Sequence, residues 1–105
     1  MTNPWRGDVA LVIDGERHDL RLSLGALAEL EASLEAGSLV ELVQRFEQGK
    51  CGSRDVLAVL RAGLSGAKID PVPDLEHGQI EGGPIRAAQV AAELLVRAFS
   101  LPEAG

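Results

Sequence analysis

The chain has no tyrosine, one cysteine, one tryptophan and two phenylalanines among its 105 residues. Its core must therefore rest on Leu, Val, Ile and Ala. With Cys51 alone, no intramolecular disulfide can form, and nothing points to an oxidising compartment. The two histidines, His18 and His77, lie far apart, and neither sits in a metal-ligand spacing. No metal and no cofactor is expected. Positive charge is scarce too: ten Lys and Arg stand against sixteen Asp and Glu, a formal net charge of −6. Phosphate contacts need a concentrated basic face, so this balance argues against nucleic acid as a partner. No stretch approaches the roughly 20 apolar residues that crossing a membrane requires. The opening MTNPWRGD lacks the apolar run of a signal peptide. A soluble, cytoplasmic protein is the expectation.

What is present is apolar and orderly. Hydrophobic residues make up 46% of the chain, which argues against disorder, and its length suits one domain spanning 1–105. The pattern predicts an α+β fold, mainly α: a β-hairpin over 8–23, three helices over 24–66, a loop over 67–83 and a final helix over 84–100. Asp14-Gly15 is a strong signal for a two-residue type I′ turn. It sets Ile13 opposite Glu16, Leu11 opposite His18 and Val9 opposite Leu20. Val9, Leu11, Ile13, Leu20 and Leu22 then share one apolar face, with Arg17, Asp19 and Arg21 on the other.

Ser23 is the expected N-cap of a first helix from about Leu24 to Glu35, with Leu24, Leu27, Leu30, Glu31 and Leu34 at helical spacing and Gly37 as its stop. Ser38 and Glu41 form a capping box for a second helix, whose stripe is Leu39, Leu42, Val43 and Phe46 and whose C′ residue is Gly49. Ser53 should cap a third, with Asp55 in its first turn, Val56, Leu57, Leu60 and Leu64 inward, and Gly66 at its end. Two prolines and an acidic cluster make Ala67 to Gly83 a loop, with one helical turn near Asp74 to Gln79. Pro84 opens the last helix, which is apolar around most of its circumference and so suits two contact surfaces.

Signals of chemistry are weak. Cys51 sits in a glycine turn near Lys50 and a helix start, but has no base or resolving cysteine nearby. His18 reads as a packed or edge residue of the hairpin and His77 as part of a solvated loop. Gly82-Gly83 lacks the preceding strand and the lysine of a phosphate loop. The carboxylates form no pair suited to general acid–base work. No catalytic residue is nominated, and the chain is not expected to be an enzyme. The second and third helices invite a helix-turn-helix reading, but SRDVLAVLRAGL offers Arg54 and Arg61 beside Asp55, with no Asn or Gln for base edges. DNA binding ranks third among the functional readings.

The order of motifs adds what pattern alone cannot. Leu20, Leu22, Leu24 through Glu31 (LGALAELE), Leu39, Leu42, Arg45-Phe46-Glu47, Gly49, Ser53, Asp55-Val56-Leu57 and Ala62-Gly63-Leu64 together resemble the small tail-assembly-chaperone-like proteins of gene transfer agents and related long-tailed phages. The opening NPWRGDVALVIDGE is also similar to that family's start, and the likeness loosens after Gly66. The resemblance implies a bacterial host cell and a role in tail building, as a chaperone that binds the tape measure protein until tube subunits replace it. Tail tube subunits and further copies of the chain are additional partners under this reading. Part of the family carries the tail tube label, so a structural virion component, tube or connector, is the alternative. A tube ring is expected to need more sheet than one hairpin supplies. Trp5, Leu95 and Phe99 are the candidate partner or self-association residues; the alternative for all three is that they complete the core.

Overall fold

The computed structural model describes residues 8–34 and 38–99. Strands β1 (Val9–Ile13) and β2 (Glu16–Leu20) pair antiparallel around Asp14-Gly15, both of which adopt positive φ. The register is the one that turn dictates: Ile13 with Glu16, Leu11 with His18, Val9 with Leu20. Val9, Leu11, Ile13, Leu20 and Leu22 are all buried on one face, because a period of two puts alternate side chains on the same side. His18 is half-buried.

Four helices follow: α1 (Leu24–Ser33), α2 (Leu39–Glu47), α3 (Ser53–Gly66) and α4 (Gly83–Phe99). The fold is α+β and mainly α. Ser23 Oγ accepts from the Ala26 N–H at 3.1 Å and fixes the start of α1. The stripe of α1 differs from the spacing of its leucines. Ala26 and Leu30 are buried, whereas Leu24 is 85% exposed. Leu24 is the first helical residue, one position past the cap, and the helix turns it outward. The helix ends at Ser33 with Leu34 as C-cap, two residues before the expected Glu35; Glu35 and Gly37 lie outside the described residues.

Ser38 Oγ accepts from the Glu41 N–H at 3.3 Å, the serine half of the expected box. The Leu39 N–H instead meets Glu31 Oε2 of α1 at 3.5 Å, so one helix helps cap the next. At the far end, Gly49 (φ +69°) donates to Phe46 O and Lys50 donates to Arg45 O. That pair of bonds is a Schellman motif, with the glycine at C′.

Helix α3 starts one residue earlier than the sequence suggests: Gly52, not Ser53, is its N-cap, and Ser53 is its first helical residue. The Gly52 N–H donates to Asp55 Oδ2 at 3.0 Å, so Asp55 satisfies an orphan donor that a serine cap would have left to itself. Helix α3 is the centre of the fold, packed on α1, α4 and β2. Leu60 and Leu64 are buried as expected, and Val59, Ala62, Gly63 and Gly66 are buried too, while Val56 and Leu57 are only half-buried. Small residues make this second contact face, allowing neighbouring backbone to approach closely.

Residues 67–83 form more than a loop. The Asp14 N–H donates to Gln79 O at 2.8 Å, Glu81 N–H donates to Val12 O at 3.0 Å, and Ile80 bridges Ile13 antiparallel. Asp14 Oδ1 accepts from Gln79 N–H at 2.9 Å. Arg86 Nη2 of α4 donates to Ala10 O at 3.3 Å. The outer edge of β1 is thereby occupied by residues 79–81 and Arg86, which shields it from edge-to-edge pairing with other chains. Ahead of this strap, Asp74 organises a single turn: Asp74 O accepts from Gly78 N–H, and its Oδ1 accepts from the N–H groups of Glu76 and His77. Leu75 plugs this turn into the core.

Candidate functional site

Three features could meet another molecule, and each follows from how the helices are placed. The first is a cleft of about 660 Å³ between the start of α3, the Asp74 turn and the start of α4. Its apolar lining is Val56, Leu57 and Leu60 of α3, Leu75 and Ile80, and Ala87 of α4. Cys51, Glu76 and His77 stand among the other lining residues. Val56 and Leu57, in the first turns of α3, are half-buried and line the cleft. Cys51, expected as a small turn residue, is half-buried there, and its thiol is free.

The second feature is the outer face of α4. Its inner stripe, Ala87, Val90, Ala91, Leu94 and Leu95, is buried. Ile85, Val96 and Phe99 are exposed, at 74%, 66% and 48%. They recur at intervals that place them on one side of a helix, so the two-sided character expected from composition is present. This separates the candidate partner residues. Phe99 lies on the outer face. Leu95 is 2% exposed and belongs to the core, one helical turn from Ala91; its assignment to a partner surface is corrected accordingly. Trp5 lies outside the described residues.

The third feature is the α2–α3 corner. Arg45 in the last turn of α2 makes a bidentate pair with Asp55: Nε to Oδ2 at 3.2 Å and Nη2 to Oδ1 at 3.1 Å. Burial works against ionising Asp55, but the Arg45 hydrogen bond, the Gly52 N–H and the Arg45 charge outweigh it and hold the carboxyl below its ordinary range. The hydrogen bond to Asp55, opposed by burial, pushes Arg45 further up. Asp74 is lowered as well, first by the His77 backbone N–H against a smaller burial effect, with His77 Nδ1 3.2 Å from Oδ2 adding to it. These are structural uses of charge at a helix corner and a turn. In the helix-turn-helix reading, Asp55 would sit at the start of the recognition helix, and Arg61 is already paired with Glu76.

Among the described residues, no group of three or more His, Cys, Asp and Glu is placed to hold a metal, and no helix is long and apolar enough to cross a membrane. Against this background of packing surfaces, the sequence profile of one protein family, described as "Phage tail tube protein, GTA-gp10", matches residues 6–101. The chain belongs to this family. Membership of the gene transfer agent and phage tail family extends the resemblance read from the leucine and glycine motifs through the loop and α4, where that likeness was loosest. Neither the curated proteins nor the solved structures hold a match to the chain. Sequence reasoning missed the cleft, because its lining comes from three separate segments and its deepest residues are ordinary core leucines.

Proposed function

We propose that this tail-family protein is a non-enzymatic assembly chaperone that binds the tape measure protein during tail morphogenesis in the host cytoplasm and then leaves. The observation that carries this reading is the apolar surface left open on two sides of a small domain, in the cleft and along the outer face of α4. Such surfaces suit helix-in-groove recognition of an amphipathic segment. The strap on β1 supports it further: the described sheet has two strands and one isolated bridge, and its β1 edge is taken. A tube wall built by strand pairing between subunits needs open edges.

The family description favours a second reading, a tail tube component that stays in the particle. Quantitative mass spectrometry of purified particles beside the producing-cell lysate separates the two. Under the chaperone reading, the protein is abundant in the lysate and nearly absent from particles. Stoichiometric protein in particles would overturn that reading and establish a structural component.

A further inference from the structure

The charges around the cleft specify its occupant more closely than its shape does. Among the described residues, Glu76 is the only Asp, Glu, Lys or Arg lining it, and it is paired with Arg61 of α3. A second recess shares Gly78, Ile80 and Gly83 with the cleft and carries Asp14 and Glu81. Among the described residues, no lysine or arginine lines either one. Two helices begin at this cleft, and their positive dipole ends would by themselves attract an anion. Both starts already have a carboxylate close by. Asp55 accepts from Gly52 N–H at the head of α3, and Glu81 stands two residues ahead of α4. Of the basic residues near the cleft, Lys50 and Arg54 are exposed at the head of α3, Arg61 is paired with Glu76, and Arg86 donates to Ala10 O.

We infer that the cleft docks a partner-protein segment whose apolar side chains enter between Leu57, Leu75 and Ala88 and whose Lys or Arg residues flank that anchor on the side of the Asp14 and Glu81 recess. The acidic rim and the net charge of −6 steer such a segment in and set its direction. The basic flank points away from Lys50 and Arg54, where like charges would meet. This inference deepens the chaperone reading by naming the surface and the chemistry of the bound segment, and it rests on that reading for its biological partner.

The test uses three 18-residue helical peptides as probes, Leu/Lys, Leu/Glu and Ala/Lys, titrated into the isotope-labelled full chain with amide shifts followed by NMR. Leu/Lys is expected to shift amides of residues 51–60, 75–81 and 83–88, and to bind at least tenfold more tightly than either control. Ala88→Trp, which fills the cleft, should weaken it tenfold or more, and Glu81→Lys several-fold, with the Glu81→Lys difference shrinking in high salt. If Ala88→Trp fails to fold, Ser53→Trp, at an exposed lining position, blocks the same mouth. Equal binding of Ala/Lys, shifts centred elsewhere, or a folded cleft-filled variant that binds normally would overturn the inference. Particle mass spectrometry reports separately on the chaperone role: stoichiometric protein in particles with cleft-specific Leu/Lys binding would refute the role and leave the cleft assignment standing.

Discussion

Asp55 holds the α2–α3 corner with three hydrogen bonds, one from the Gly52 N–H and two from Arg45. Replacing it with Ala leaves a helix start uncapped, a loss of about 1–2 kcal/mol, readable as a lower urea midpoint at pH 7. The carboxyl is lower in the folded than in the unfolded state. Its stabilisation is thus fully present above the unfolded value, about 4, and disappears as the pH falls through the folded one. The gap between wild type and D55A should close below about pH 4; a gap unchanged at pH 2 would refute the assignment. Glycines act by space rather than by turn geometry in α3. A Cβ on Gly66 would collide with the Arg21 carbonyl oxygen and lie 2.9 Å from Ser23 N, both backbone atoms. One on Gly63 would meet Leu94 Cδ1 at 2.9 Å and Leu20 Cβ at 3.1 Å, and side chains can yield. G66A should therefore cost about 3 kcal/mol or more and G63A about 1–3, an order that thermal melts of the two variants would check. The sequence placed Gly66 correctly at a helix end, but not the reason, because nothing in it marks what approaches a residue from outside its own helix.

At the level of the elements, the strap over residues 79–81 makes a sharp prediction for hydrogen exchange. The amides of Asp14, Gln79 and Glu81 should exchange at least tenfold more slowly than that of Val72, which is exposed in the same connection. D14A should release the protection at Gln79 in particular. Helix α4 divides along its length in the same testable way. Leu95→Asp would bury an unpaired charge in the core and should abolish cooperative unfolding. Phe99→Asp, at a half-exposed position, should leave the melting temperature within a few degrees of wild type. The hairpin was fully legible from two residues, since Asp-Gly fixes the turn and the turn fixes the register. The strap was not: Gln79-Ile80-Glu81 is too short to show alternation, and a bridge to Ile13 is a contact between segments far apart in sequence. For α3, leucine spacing revealed one buried face. The other, of Val59, Ala62, Gly63 and Gly66, stayed hidden because small residues carry little hydrophobic signal.

For the molecule as a whole, legibility followed chain distance. Local grammar gave every helix to within two or three residues among those described. The cleft depends on how the starts of α3 and α4 converge with the Asp74 turn, an arrangement that no single window of sequence encodes. Acidity could be read at once, yet its meaning at the cleft required knowing that Arg61 is paired with Glu76 and Arg45 with Asp55, which leaves Asp14 and Glu81 to carry the charge. Asp14 and Gln79, which close the β1 edge, are 65 residues apart. A ribosome adds about 5–20 residues per second, so a newly made hairpin waits roughly 3–13 s before its covering strand has been synthesised. Throughout that interval β1 is an open edge in a crowded cell, and crowded nascent chains of this protein are most exposed to mispairing before α4 exists.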